Sequence, residues 1–263
     1  MNATSQPSPI TSMILLKVFW RSFFLQAANN YERMQNLGFA YCMAPALQRL
    51  FGGDDLAAAM KRHLEFFNSH PYLSSALLGA SIRLEEDVSR GHKSPDDVRA
   101  FKRMMMGPMA AIGDSFFWSS LRPFIALWTI MGILSGLWWA PIGFIVVFNI
   151  CHLSIRWYGI WHGYHRGHAV CERIHRLGLV RLAERTQYLA GIFIGAVAAI
   201  FADQAAHSPA SLTDGLEPFL FLALILIFLL GLKRGFSMVG LLYGAMIASL
   251  VLITLLDAFF PLV

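Results

Sequence analysis

Five apolar runs fill the second half of this chain, at about residues 123–139, 141–155, 187–203, 217–232 and 236–260. Runs of this kind are best accommodated as helices in lipid, where each helix satisfies its own backbone N–H and C=O groups. Several fall short of the ~20 residues that a lone span needs. Neighbouring helices, a thin local bilayer or a partner subunit would make up the difference. The charge content agrees: 14% of residues are charged and 56% hydrophobic, with a mean hydropathy of +0.54, against roughly 25% charged in an average soluble domain. The chain therefore reads as an all-α integral membrane protein. Its N-terminal half is expected to hold amphipathic and broken or re-entrant helices, followed by about five apolar helical segments.

Charge placement sets the expected topology. Residues 156–185 carry Arg156, Arg166, Arg173, Arg176, Arg181 and Arg185. Residues 203–217 carry Asp203, Asp214 and Glu217 with no Lys or Arg, and Lys233 and Arg234 occupy the next turn. Basic links stay on the cytoplasmic side, so 156–185 and 233–234 are expected inside, with 203–217 and the C-terminus outside. The net charge of +5 follows this asymmetry and forms no single basic stripe, so no nucleic-acid partner is indicated. Cys42, Cys151 and Cys171 are odd in number and make no CxxC pair. That argues against a disulfide framework and a structural zinc site.

Residues 1–12 lack the basic region of a cleavable signal and read as a disordered lead. Residues 13–122 form the amphipathic and broken-helix region, and 123–263 the transmembrane region with its basic loop at 156–185. FGGDD at Phe51 to Asp55 is a turn, and Asp54 or Asp55 can cap the helix that carries Arg62 to Phe67. From Ser89, SRGHKSPDDVRA is a soluble loop whose Pro95, Asp96 and Asp97 open the next helix.

Four stretches carry chemistry. RHLEFFNSHPY, from Arg62 to Tyr72, offers a carboxylate, an amide and an imidazole in Glu65, Asn68 and His70, a suitable set for a hydroxyl-rich ligand. On a helix Arg62, Glu65 and Ser69 fall close together, and Pro71 ends or kinks that helix; an Arg62–Glu65 pair is the plainer reading. GPMAAIGDSFFW, from Gly107 to Trp118, has helix breakers in Gly107, Pro108 and Gly113. Backbone freed by such breaks at membrane depth lines cavities or is buried in protein. Asp114 with Phe117 or Trp118 would hold a sugar by its hydroxyls and its C–H face, although Asp114 would also serve as a helix N-cap. NNYERMQNLGFAY, from Asn29, groups Asn30, Glu32 and Gln35 beside aromatic rings, to line a path, bind a partner or present a solvated face. His162, His165, His168 and His175 invite a metal, but Gly163 and Gly167 weaken the helix and no HExxH spacing occurs. Anchoring by Arg166, Arg173 and Arg176 to anionic lipid or a soluble partner is simpler. No catalytic motif, cofactor site or metal site is indicated.

With these stretches in place, the chain resembles the IID component of the mannose-type phosphoenolpyruvate-dependent sugar phosphotransferase system (PTS). The matching residues run collinearly over about 20–170. They include Arg21 with Gln26, NNYERMQNLGFAY through Pro45, RHLEFFNSHPY, Gly79 with Glu85 and Glu86, and MGPMAAIGDSFFW on to Arg122-Pro123. Phe148-Asn149, Arg156, Gly159, Gly163-Tyr164 and Gly167 complete the set. The later residues match mainly as apolar spans, with SLTDGLEPFL resembling the family's approach to a span.

The resemblance implies a non-catalytic subunit of the bacterial cytoplasmic (inner) membrane. It would form a translocator with a IIC subunit, in a trimer of IIC–IID pairs. IIA and IIB phosphocarrier proteins would phosphorylate a hexose or amino sugar as it enters. On this reading Asp114, Asn68, Glu65 and His70 take sugar hydroxyls, and Trp118 or Phe117 packs on the ring. Asn30 and Gln26 complete the path or the IIC contact, and Arg62 and Arg122 hold carboxylates. Two alternatives stay open: a non-transporting scaffold or docking subunit, and an independent transporter using the His cluster.

Overall fold

The computed structural model describes residues 9–206 and 217–259, and among these the chain is helical throughout. The helices are α1 (Ser12–Arg21), α2 (Asn36–Leu50), α3 (Gly53–His63), α4 (Ser74–Ser89), α5 (Pro95–Gly113), α6 (Arg122–Leu134), α7 (Ala140–Arg166), α8 (Ala169–Arg176), α9 (Leu179–Ala206), α10 (Glu217–Lys233) and α11 (Met238–Phe259). Two compact units divide the chain, residues 1–194 and 195–263. Most of the lead expected at 1–12, and the acidic link around Asp214, lie outside the described residues.

In the first unit α4 is the core helix. Its residues from Ser74 to Ile82 are all buried. It packs closely along α7 because both helices present small residues. A Cβ added at Gly79 would lie 2.3 Å from the Ile160 carbonyl oxygen, and one at Gly163 would lie 2.6 Å from that of Ala76. Small residues of this kind let helix backbones approach. The Tyr164 hydroxyl then reaches across to donate to Glu86 Oε2 at 2.6 Å. Phe39, Met43, Leu47 and Phe67 fill the other side of the same core. Amphipathic α1 to α5 thus bury their apolar stripes against one another as well as against α7.

Pro95–Leu134 and Ala140–Arg166 are each long and apolar enough to cross a membrane. Their outward side chains suit lipid or a partner: Trp128 is 59% exposed, Ile145 59% and Ile150 60%. In the second unit α10 and α11 form a close pair, and a Cβ at Gly231 would come 2.8 Å from a Leu241 methyl.

Four expectations are corrected. The segment at Gly107–Trp118 is not broken: α5 continues through Pro108 and passes without a gap into a π-helical stretch, Asp114–Leu121, and then α6. Proline removes one N–H and crowds the preceding turn. Here the Ser69 hydroxyl braces that turn by donating to the Met106 carbonyl at 2.9 Å. Asp114 is therefore mid-helix and caps nothing. Second, 156–185 is not a loop. α7 runs on to Arg166, α8 follows, and the turns fall at Gly167 and Gly178, where φ is +56° and +66°. Third, α3 ends at His63 and not at Pro71, because Arg33 and Gln35 capture the backbone of Phe67. Fourth, neither Asp54 nor Asp55 caps α3; both lie in its first turn, behind the N-cap Gly52. The opening of α5 is as the sequence indicates. Ser94 is its N-cap, Pro95 its first residue, and Asp97 closes a capping box, an arrangement that satisfies two otherwise free amides.

Candidate functional site

Residues 64–73 link α3 to α4 and are drawn out of helix by the loop before α2. The Gln35 amide donates to the Phe67 carbonyl at 2.8 Å, and the Phe67 amide to the Arg33 carbonyl at 3.3 Å. The Gln35 side chain brackets Ser69, donating to its carbonyl at 2.9 Å and accepting its N–H at 3.1 Å. Asn30 holds the same loop closed: its amide donates to Asn36 Oδ1 at 2.8 Å and its Oδ1 accepts the Arg33 N–H at 2.7 Å. Two of the motifs are thus halves of one backbone clasp. Asn30 is committed to that clasp, while Gln26 is exposed and Glu32 pairs only with neighbouring Arg33.

At one end of the linker lies a buried ionic knot. Arg62 grips both oxygens of Glu85, with Nε 2.6 Å from Oε1, and His63 Nε2 lies 2.7 Å from the same oxygen. Lys102 donates to the Arg62 carbonyl at 3.0 Å. Burial pushes the Glu85 carboxyl up, but the hydrogen bonds from Arg62 and His63 outweigh it and hold the group below the usual carboxylate range. Burial drives His63 down to about 4 against the opposing pull of Glu85. His63 is thus neutral and donates from Nε2. Arg62 does hold a carboxylate, but it is Glu85 and not Glu65. Glu65 pairs with Arg99 at 2.7 Å.

At the other end the linker meets the π-helical stretch. A Cβ at Gly113 would fall 2.2 Å from the His70 ring, so this glycine admits an imidazole and breaks nothing. His70 stacks on Phe117 at 5.1 Å and 12°, and lies 5.3 Å from the Trp118 ring. Phe117 is wholly buried behind it, whereas Trp118 is 38% exposed, with the Arg122 guanidinium 5.6 Å above its ring. His70 Nδ1 accepts the Tyr72 N–H at 3.3 Å. The proton of the neutral ring therefore sits on Nε2, which is buried with no partner. Burial, followed by the charge of Arg156, holds the His70 pKa near 4. The Asp114 carboxylate is exposed and bonds to no other described residue. Asn68 is exposed beside Ser69, and its amide is equally unengaged.

Sequence reasoning missed the wall behind these groups. Tyr72 stacks on His152 of α7 at 4.6 Å. Asn149 Nδ2 donates to the Ile145 carbonyl, so its Oδ1 accepts from His152 Nε2 at 2.9 Å, and His152 Nδ1 is left as a buried acceptor without a partner. Arg156 donates to the Ser22 carbonyl at 2.6 Å and to its hydroxyl at 2.9 Å, and lies across the Tyr72 ring at 5.3 Å. Phe148-Asn149 and Arg156 belonged to the matching residues, and these were the only signal.

The structure therefore brings together Asp114, Trp118, Phe117, His70, Gly113 and Arg122. It does not bring Glu65 to them. Glu65 is tied to Arg99, fifteen residues before Asp114 (114 − 99), which is about 22 Å along a helix. Nothing lies within 4 Å of a Cβ built at exposed Gly107. A cavity of about 570 Å³ between α4, α5 and α8 takes in Pro108 but none of the grouped residues; Phe101, Met104, Met105 and Met109 form its apolar wall, with Lys93, Asp97, His168, Glu172 and His175 around it. Among the described residues no three His, Cys, Asp or Glu side chains converge as metal ligands. Asp114 offers an exposed acceptor, His70 Nε2–H a buried unpaired donor and Trp118 a partly exposed indole, groups that suit a neutral polyol.

Comparison with known proteins gives a consistent picture. Residues 9–257 match the family described as the PTS system mannose/fructose/sorbose family IID component. The chain is 35% identical over 194 residues to the mannose-specific EIID component of Escherichia coli K12, covering 73% of this chain and 68% of that protein. It is 37% identical over 187 residues to the sorbose-specific EIID component of Lacticaseibacillus casei, with coverages of 70% and 66%. A chain in the cryo-EM structure of the mannose transporter ManYZ with microcin E492 superposes with a TM-score of 0.58 at 28% identity, covering 97% of this chain and 98% of that one. A chain from a structure described only as a membrane protein gives a TM-score of 0.70 at 27% identity, covering 92% and 96%.

Proposed function

This chain belongs to the mannose/fructose/sorbose family of PTS IID components, bacterial membrane subunits of sugar permeases, and on that premise we propose that it pairs with a IIC subunit to form the path for a hexose or amino sugar. Soluble IIA and IIB proteins phosphorylate the sugar as it arrives inside. This chain adds binding groups and no catalytic residue.

One observation carries the reading. Asp114 is an exposed carboxylate without a partner, midway along a 40-residue helical segment apolar enough to span a membrane. Such a group is costly in lipid and marks a pathway or a partner contact. Asp114 accepts sugar hydroxyls, Trp118 covers the apolar face of the ring, and the His70 Nε2–H donates from behind. Asn68 borders the same strip. Arg122 lies over Trp118 and orients it. Phe117 backs His70, and Glu65 serves the link to α5.

The test is sugar uptake coupled to phosphorylation in vesicles carrying this chain, its IIC partner and the soluble proteins. Uptake should need both membrane chains, and Asp114→Asn should lower it at least tenfold with normal assembly. Wild-type uptake by that variant would remove Asp114 from the path. Uptake without this chain would reduce its role to docking.

A further inference from the structure

The turn between α8 and α9 carries a charge arrangement that sugar transport does not use. A cavity of about 280 Å³ there is lined by Arg176, Arg181 and Arg185 together with Leu177, Gly178 and Leu182, and by no carboxylate. Gly178, at φ +66°, makes the turn tight enough for the Arg181 guanidinium to fold back over it, 3.6 Å from where a Cβ would stand. Arg181 and Arg185 are one helical turn apart on α9, so they face the same way. Neither forms an ion pair with a described residue, whereas Arg176 is shared with Glu172. The cavity adjoins a second, of about 440 Å³, that shares Arg176, Gly178 and Arg181 and extends the lining with Ile112, Ile174 and Val180.

From this juxtaposition we propose that the α8–α9 turn is a binding site for the phosphate of an anionic phospholipid. Three guanidiniums around one concavity match the oxygens of a phosphodiester. A free phosphate would be served by the arginines alone. The interleaved Leu177 and Leu182, 50% and 48% exposed, are what a lipid adds, because its glycerol and upper acyl carbons need apolar cover. The same face continues along α9 into exposed Leu189 and Ile192, so the arginines stand where surface suited to hydrocarbon begins. Basic pockets at such a boundary are where anionic headgroups bind. The site is independent of the sugar path: Asp114, Trp118 and His70 take no part in it.

Native mass spectrometry of the full chain in neutral detergent tests this, with phosphatidylglycerol, phosphatidylcholine and inorganic phosphate as probes. The wild type should retain phosphatidylglycerol over phosphatidylcholine. The double variant Arg181→Gln/Arg185→Gln should lose about tenfold or more of that retention. Arg103→Gln, an exposed arginine on α5, should lose none. Leu177→Gln should weaken phosphatidylglycerol binding without changing the charge. Equal retention of the two lipids, or an equal loss in the Arg103 variant, would overturn the site in favour of general charge attraction. Displacement of phosphatidylglycerol by an equal concentration of inorganic phosphate would overturn the lipid as its occupant. All of these variants replace exposed side chains, and an unchanged melting temperature will show that the fold persists.

Discussion

The two ends of the linker before α4 are made of the same kinds of residue, yet they differ in what they leave undone. Around Glu85, an arginine, a histidine and a lysine close on one another, both carboxylate oxygens are occupied, and the enclosed His63 Nδ1 acceptor is the one atom of the knot left over. Around His70, a carboxylate and an imidazole N–H stand without partners among the described residues, beside a partly exposed indole. Polar density in a sequence therefore does not identify a site. Unspent bonding capacity does, because an unpaired buried donor costs about 1–3 kcal/mol and persists where something else completes it.

The contrast can be broken first at Glu85. Glu85→Ala leaves the Arg62 charge buried alone and should cost about 3–5 kcal/mol, read as a large fall in the melting temperature of the detergent-solubilised protein. Replacing the pair together, Arg62→Met with Glu85→Leu, should recover most of that. A double variant as unstable as the single one would mean that packing, and not charge, holds the knot. Gly113→Ala comes next. Its methyl group collides with His70 and should cost about 1–3 kcal/mol as overpacking does; an unchanged melting temperature would mean that His70 lies elsewhere.

Acid sharpens the comparison. Folded His63 stays neutral down to about pH 4, while the unfolded chain takes up this proton near its ordinary 6.5. The unfolded state therefore binds more protons between these values, and stability falls as pH is lowered through that window. Glu85, held low, acts in the same direction: its contribution is present above the ordinary carboxylate range and is lost as pH falls through its folded value. Melting curves at pH 7 and 5 should separate, and His63→Gln should bring them closer. The smallest effects on stability belong to the open side. Glu65→Gln removes a partly exposed pair and should cost about 0.2–1 kcal/mol. Asp114→Asn should change stability by less than about 0.5 kcal/mol even as uptake fails. A destabilised Asp114→Asn protein would turn Asp114 into another structural group.

What the sequence made legible was local. The apolar runs each fall within or overlap a helix, and the Ser94–Asp97 cap of α5 follows from its own four residues. What it hid was long-range. Arg62 has a good local candidate in Glu65 and chooses Glu85, twenty-three positions on, because α4 is buried among α2, α5 and α7 and Glu85 there has no water. The helix expected through Phe67 is undone by Gln35, thirty-four residues before Ser69. Gly113 looks like a breaker to any local rule, and only contact with His70 shows why it is there; Pro108 is carried inside α5, with Ser69 bonded to the Met106 carbonyl of the turn before it. Asp114 and Trp118 were readable as neighbours by number alone. That their surroundings leave them unsatisfied was not.

The π-helical stretch from Asp114 to Leu121 also fixes the angular phase of α6 relative to α5. Each of its backbone rings encloses one residue more than an α-helical ring, so the helical wheel of α5 cannot be extended into α6. Loss of a single residue there would let the stretch relax toward α geometry without severing the helix. Because a wide turn takes up about one residue more than an α-helical turn for the same angle, that loss would leave α6 close to its present phase, with Trp128 on the same face. The same deletion in α5 or α6 would turn everything beyond it by about 100°, the angular step of one α-helical residue. The wide stretch is thus a reserve of chain length, where a deletion is absorbed, while in its α-helical flanks the same deletion is a rotation in space.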